Sequence, residues 1–134
     1  MKRVLAVICV FALTACVTTK KADLIEENFK TVVYEDGITA DEAIIVAKKI
    51  AREKTHPQSY NLEEPLVLTE FENVPHHQDY WFVGFHEMPK GMFPVVFLVS
   101  LHKQTGKVVF SRSYNMENEW VLQATFLKLH EVPK

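Results

Sequence analysis

Six histidines are the side chains of this chain best suited to chemistry, since an imidazole nitrogen is a common zinc ligand. They are His56, His76, His77, His86, His102 and His130. Three of them could converge as a zinc site that needs no cysteine. Adjacent histidines on one loop are poor partners for each other, however, and the chain has no His-Glu-x-x-His spacing on a helix. We therefore expect solvated loop histidines, no metal site and no cofactor.

Nucleophilic catalysis finds little support in the sequence. The serines Ser59, Ser100, Ser111 and Ser113 lack the Gly-x-Ser-x-Gly context of a nucleophile elbow. With only four glycines, the chain has no glycine-rich phosphate loop. The acidic pair Glu63-Glu64 is typical of a solvated loop. These observations predict a protein that is not an enzyme.

Cys16 suggests a different kind of chemistry, which is covalent attachment of lipid. Lys2 and Arg3 precede an apolar run from Val4 to Leu13, which is shorter than the roughly 20 residues of a membrane-spanning helix. The run ends in Leu-Thr-Ala-Cys, and this arrangement resembles a bacterial lipoprotein signal. The resemblance implies that residues 1–15 are removed and that Cys16 is acylated. The alternative is an ordinary signal peptide, cleaved nearby, with a chance cysteine.

Lipidation at Cys16 would determine where the protein is located. Acyl chains hold a protein stably at a membrane surface when two or more are attached. By resemblance to Gram-negative lipoproteins, Val17 after the cysteine implies the periplasmic face of the bacterial outer membrane. A Gram-positive host would place it on the outer face of its single membrane. We expect residues 16–23 to form a lipidated tether and residues 24–134 to form a single domain.

The mature chain is small and mildly acidic. Removing 15 of 134 residues leaves 119, with 13 basic and 17 acidic residues and a formal charge of −4. That size suits one domain with one core. The absence of a basic stripe from the sequence argues against nucleic acid as a partner.

The clearest predicted element is a helix that begins after Thr39. Thr39 and Glu42 have the spacing of a capping box, and Ile38 can pack on Ala43 as a hydrophobic staple. Leu24 to Val33 predicts a short helix ahead of it. The apolar stripe of the main helix consists of Ala43, Ile44, Ala47, Ile50 and Ala51.

Four strand patterns follow the main helix. They cover Leu66–Val74, Tyr80–Glu87, Val95–His102 and Lys107–Tyr114. Gly84 indicates a bulge or a close backbone contact, and Gly106 supplies the positive φ of a hairpin turn. The short connections predict antiparallel pairing. In the tail, Trp120, Ala124 and Leu127 favour a helix over an alternating strand.

These elements predict an α+β fold, with an N-terminal helix or helices packed on one face of a four-stranded antiparallel sheet. Thr39-Ala-Asp-Glu-Ala43 and the turn Thr105-Gly-Lys-Val108 resemble the helix and hairpin of small PepSY-like and NTF2-like (cystatin-like) modules of bacterial envelope proteins. His102-Lys-Gln104 stands where those modules often carry Asp. The resemblance implies a module that binds or inhibits proteins and is seldom an enzyme.

The second strand carries aromatic residues on both of its faces, whereas a single core buries only one face of a sheet. We expect the tail around Trp120 to cover the second face, the alternative being a partner. The loop Met88–Pro94 carries two Met, one Phe and two Pro at a hairpin end. It is either a contact loop or a lid over the core. Our candidate partner-binding residues are Met88, Met92, Phe93 and Trp81, on this loop and the concave sheet face.

The leading hypothesis is a lipid-anchored, non-catalytic envelope protein that binds another envelope protein as an inhibitor, immunity factor or accessory subunit. The alternatives are a periplasmic carrier of a small apolar ligand, since a curved sheet with a helix across it can enclose a pocket, and a His-dependent zinc protein.

Overall fold

The computed structural model describes residues 20, 21 and 23–131. The chain separates into two compact units, Met1–Thr31 and Val32–Lys134. In the first unit, residues 20–21 and 23–29 are helical, so the short helix predicted to reach Val33 ends earlier. Cys16 lies outside the described residues. Within the described part of the chain, no helix has both the length and the apolar character needed to span a bilayer.

Helix α1 spans Ala40–Lys54 in the second unit, and it begins as predicted. Thr39 Oγ1 accepts a hydrogen bond from the Glu42 backbone N–H at 3.3 Å, and Glu42 Oε2 accepts one from the Thr39 N–H at 2.9 Å. This reciprocal capping box satisfies two N–H groups that the helix cannot pair internally. Its buried stripe is Ala43, Val46, Ala47 and Ala51. The predicted Ile44 and Ile50 are only partly buried.

The sheet is a four-stranded antiparallel meander, as predicted. Its strands β1 (Leu66–Leu68), β2 (Tyr80–His86), β3 (Val95–His102) and β4 (Val108–Asn115) lie in the order β1-β2-β3-β4. At the β3–β4 turn, Gly106 has φ of +64° and donates its N–H to the His102 carbonyl at 2.8 Å. The prediction of a positive-φ turn at this glycine is confirmed.

The first strand is shorter than the predicted Leu66–Val74. After Leu68 the chain leaves the sheet, and Phe71 and Val74 become buried in an apolar cluster instead. Gly84 marks a close contact and not a bulge. A Cβ there would lie 3.2 Å from Leu68 Cδ1, while the pairing of β2 with β3 runs without interruption.

Helices cover both faces of the sheet. Helix α1 packs on one face, and a second helix, α2 (Glu119–Leu129), covers the other. In α2, Phe126 is fully buried, and its ring centre lies 4.9 Å from that of Tyr80 and 5.6 Å from that of Phe82. The tail is therefore a helix that covers the second face, as favoured. Helix α1 packs on one face as predicted, and because both faces are covered, the concave sheet face is not open for recognition.

Candidate functional site

Four large apolar side chains are exposed at one end of the sheet, and we call them the apolar tip. They are Met88, Met92, Phe93 and Trp120, with 41%, 93%, 58% and 66% of their surfaces exposed. Three of them belong to the loop that joins β2 to β3, and Trp120 lies in the first turn of α2. Exposed apolar side chains that occur singly are ordinary, whereas a group of this size is typical of an interaction site.

Backbone hydrogen bonds fix the base of the tip loop. The Met88 N–H donates to the Ser59 carbonyl at 2.8 Å, and across the base of the loop the Glu87 N–H donates to the Val95 carbonyl at 3.3 Å. The loop is thus held where it leaves β2 and where it enters β3. Met92 and Phe93 are exposed on it, so these two side chains do not cover the core.

Trp120 reaches the same end of the sheet through the segment after β4. Asn115 pairs with Val95 in the sheet, and the next N–H, that of Met116, donates to the Pro94 carbonyl at 3.0 Å. Helix α2 starts three residues later and runs back along the sheet. On its outer side, the exposed apolar surface continues from Trp120 to Leu127, which is 56% exposed.

The sequence pattern identified the tail helix but predicted the wrong buried face. Trp120, Ala124 and Leu127 are exposed, whereas Leu122 and Phe126 are fully buried. The helix is apolar on most of its circumference, so the spacing of its apolar residues does not distinguish the two faces. The sequence did contain one sign of an exposed apolar face, because α2 has more apolar residues than a single buried stripe requires.

Trp81 lies in the other half of the sheet from the tip. Its indole N–H donates to the Ile38 carbonyl at 2.9 Å, and the Lys103 ammonium lies 4.5 Å from the ring centre. The side chain is only partly exposed. Trp81 thus connects the start of α1 to the sheet, and it does not extend the surface formed by Met92 and Phe93.

The segment just ahead of α1 contacts the end of the sheet opposite to the tip. The Ile38 N–H donates to the Lys103 carbonyl at 2.7 Å, beside the β3–β4 turn. The loop that carries Met92 begins at the far end of β2 and leads into the start of β3. The apolar tip and the start of α1 are therefore separated by the length of the sheet.

Three of the six histidines gather around Tyr80. The rings of His76 and His130 stack at 4.1 Å, His130 Nε2 lies 2.9 Å from the Tyr80 hydroxyl, and the His102 ring lies edge-on to Tyr80 at 5.2 Å. Burial, with the charge of Asp79 as a smaller cause, raises the pKa of Tyr80. Among the described residues, no three His, Cys, Asp or Glu side chains are placed to hold a metal ion.

His86 is separated from that group and lines the cleft inside the tip loop. The cleft has a volume of about 300 Å³ and is bordered by Glu87, Lys90, Gly91, Met92 and Phe93 among others. On β4, burial, with the Glu119 carboxylate of α2 as a smaller cause, raises the pKa of Tyr114 to about 12.

The chain matches no protein-family model, no curated protein and no solved structure.

Proposed function

We propose that this protein is a lipid-anchored, non-catalytic protein of the bacterial envelope that binds another envelope protein through the apolar tip. The observation that carries the proposal is the exposure of Met92, Phe93 and Trp120 together at one end of the sheet. Aromatic residues and Met are enriched in protein interfaces, and the flexible Met side chain adapts to a partner surface. The proposed partner is a protein with an apolar groove or pocket that accepts these side chains.

A lipid on Cys16 would hold the protein at a membrane surface. In a Gram-negative host, Val17 after the cysteine favours the periplasmic face of the outer membrane.

The finer fold proposal is a PepSY-like or NTF2-like (cystatin-like) module. It is supported by a capped helix that packs across an antiparallel meander and by a Thr-Gly-Lys-Val turn between the last two strands. Helix α2 adds a cover on the second sheet face. For such a module we propose an inhibitor, immunity or accessory-subunit role with no catalysis.

Photo-crosslinking in the native envelope tests the proposal. A photoreactive amino acid replaces Met92 in one variant, and in the control it replaces Asp41, which is exposed in the first turn of α1 at the opposite end. We expect one discrete crosslinked product from Met92 and none of the same mass from Asp41. A similar diffuse pattern from both positions, or no product from Met92, would contradict a docking role for the tip.

A further inference from the structure

Strand β4 is a long edge of the sheet, and its outer side has no neighbouring strand in the part of the chain that the structure describes. The order β1-β2-β3-β4 leaves two edges, of which β1 has three residues and β4 has eight. Short edge strands are one way in which proteins avoid unwanted pairing, whereas a long edge presents a row of N–H and C=O groups to another chain. Only some of these groups on β4 are available to a partner.

Alternation along the antiparallel pair identifies those groups. The Met116 N–H bonds to the Pro94 carbonyl, on the side of β3, so the even-numbered residues of β4 face β3. The backbone N–H and C=O groups of Ser111 and Ser113 and the N–H of Asn115 consequently point away from the sheet, whereas the Asn115 carbonyl accepts from the Asn118 N–H at 2.9 Å. None of these three N–H groups has a hydrogen-bond partner among the described residues.

A groove of about 550 Å³ lies beside this edge on the face that α1 covers. In it, Lys54 Nζ donates to Ser111 Oγ at 2.6 Å, and the Tyr60 and Ser113 hydroxyls lie 2.5 Å apart. His56 and Glu87 also line it. No carboxylate lies within ion-pairing distance of the Lys54 ammonium in the described structure, so its charge is available to a ligand.

Arg112 places a second positive charge on the opposite face of the same edge. Its guanidinium carbon lies 4.8 Å from the ring centre of Phe110, and the residue is exposed. It also forms no ion pair with any described residue. A strand added along β4 would place alternate side chains on the two faces of the sheet. Those on one face would lie near Lys54 and those on the other near Arg112, so acidic side chains are favoured on both faces of the added strand.

We propose that the β4 edge binds an extended, acidic segment of the partner protein, which adds a fifth strand to the sheet. Main-chain hydrogen bonds to Ser111, Ser113 and Asn115 would supply affinity, and the two cations would select acidic side chains. This inference rests on the proposed function only in assuming that the partner is a protein. The edge and the apolar tip adjoin at Glu87, but Ser113 and Arg112 belong to the edge and Met92 and Phe93 to the tip, so each surface can be disabled by its own substitutions.

The first test uses a displayed library of random peptides of about ten residues, the length of a long strand, with the full chain purified in detergent as the bait. We expect enrichment of peptides with acidic residues, and bound peptides should slow hydrogen exchange at the outward amides of β4. Ser113→Pro removes an outward N–H, a change that an edge strand tolerates because that N–H is not part of the β3 ladder. The matched control, Ser113→Ala, keeps the N–H.

We expect Ser113→Pro to weaken binding of the selected peptides by about ten-fold or more, and Ser113→Ala to change it within about two-fold. Arg112→Glu, an exposed substitution that leaves the backbone unchanged, should weaken binding of acidic peptides by about ten-fold or more. This second variant tests the proposal even if the proline variant fails to fold.

Three outcomes would overturn the proposal. The first is that no peptide is enriched. The second is that the selected peptides bind equally well to wild type, to Ser113→Pro and to Arg112→Glu. The third is that the purified protein already forms a dimer through β4. A crosslink from Met92 that persists in Ser113→Pro, together with no peptide binding to wild type, would refute the edge and leave the tip in place. Peptide binding at β4 without a Met92 crosslink would support the edge and contradict the tip.

Discussion

Two substitutions in helix α2 separate the residues that stabilise the fold from those that we assign to recognition. Phe126→Ala removes a fully buried ring that packs against Tyr80 and Phe82. Trp120→Ala removes a larger side chain from the same helix, but one that is 66% exposed. Because both changes introduce alanine into one helix, the comparison isolates the effect of burial.

The two expected losses of folding free energy differ in size. Truncating a buried Phe to Ala costs about 3–5 kcal/mol, out of a total stability of about 5–15 kcal/mol for a typical domain. About a third of the Trp120 surface is buried. For a Trp of about 250 Å² this is about 80 Å², worth about 2 kcal/mol as an upper bound. Ala has a better helix propensity than Trp, which offsets about 0.5 kcal/mol of this loss. The net loss of folding free energy for Trp120→Ala is therefore at most about 1.5 kcal/mol.

Urea denaturation followed by far-UV circular dichroism measures both losses. With a urea dependence of about 1–3 kcal/mol per molar, Phe126→Ala should lower the midpoint by about 1–5 M and Trp120→Ala by at most about half as much. At equal protein level, Trp120→Ala should also reduce the crosslink from Met92. Equal losses of stability for the two variants would show that Trp120 is a core residue and would refute its assignment to the tip.

Three further predictions concern the anchor, the tip loop and the helix cap. Cys16→Ser should remove the acyl mass and release the protein from the membrane fraction, as seen by mass spectrometry and fractionation; unchanged membrane association would contradict lipidation. Met92→Ser with Phe93→Ser should abolish partner capture while shifting the thermal midpoint by only about 2–4 °C, because both side chains are exposed; a cooperative unfolding loss would instead make the loop part of the core. Hydrogen bonds from the Thr39 and Val33 N–H groups lower the pKa of Glu42 from its usual 4.5. Its charged form therefore adds stability that is fully present above pH 4.5 and is lost as the pH falls through the lowered pKa. Glu42→Gln should be less stable than wild type at pH 7, with the difference shrinking at acid pH; a constant difference would contradict this account.

Local signals were sufficient to predict the elements that depend on local interactions. The capping box of Thr39 and Glu42 begins α1 where its spacing indicates, since both partners lie within one turn. The positive φ of Gly106 likewise follows from the needs of a tight turn. Strand β3 has the predicted bounds because its apolar run is continuous and central in the sheet.

Elements that depend on tertiary packing were not predictable in the same way. In the sequence, Phe71 and Val74 continue the apolar pattern of the first strand. In the structure they leave the sheet, because they pack with α2 in the apolar cluster on the second face of the sheet. The predicted buried face of α2 was wrong, because the pattern does not distinguish the apolar side of Leu122, which is buried, from that of Trp120, which is exposed. The three histidines around Tyr80 come from separate segments, and nothing in their spacing predicts that they meet.

The open edge of β4 shows why a recognition surface can lack a sequence motif. Ser111 and Ser113 are unremarkable in the chain, and what distinguishes them is that their backbone groups face outward on the last strand. Glu87 lines both the cleft inside the tip loop and the groove beside β4, so the two surfaces adjoin. A partner held by the tip is therefore placed to lay a strand along β4.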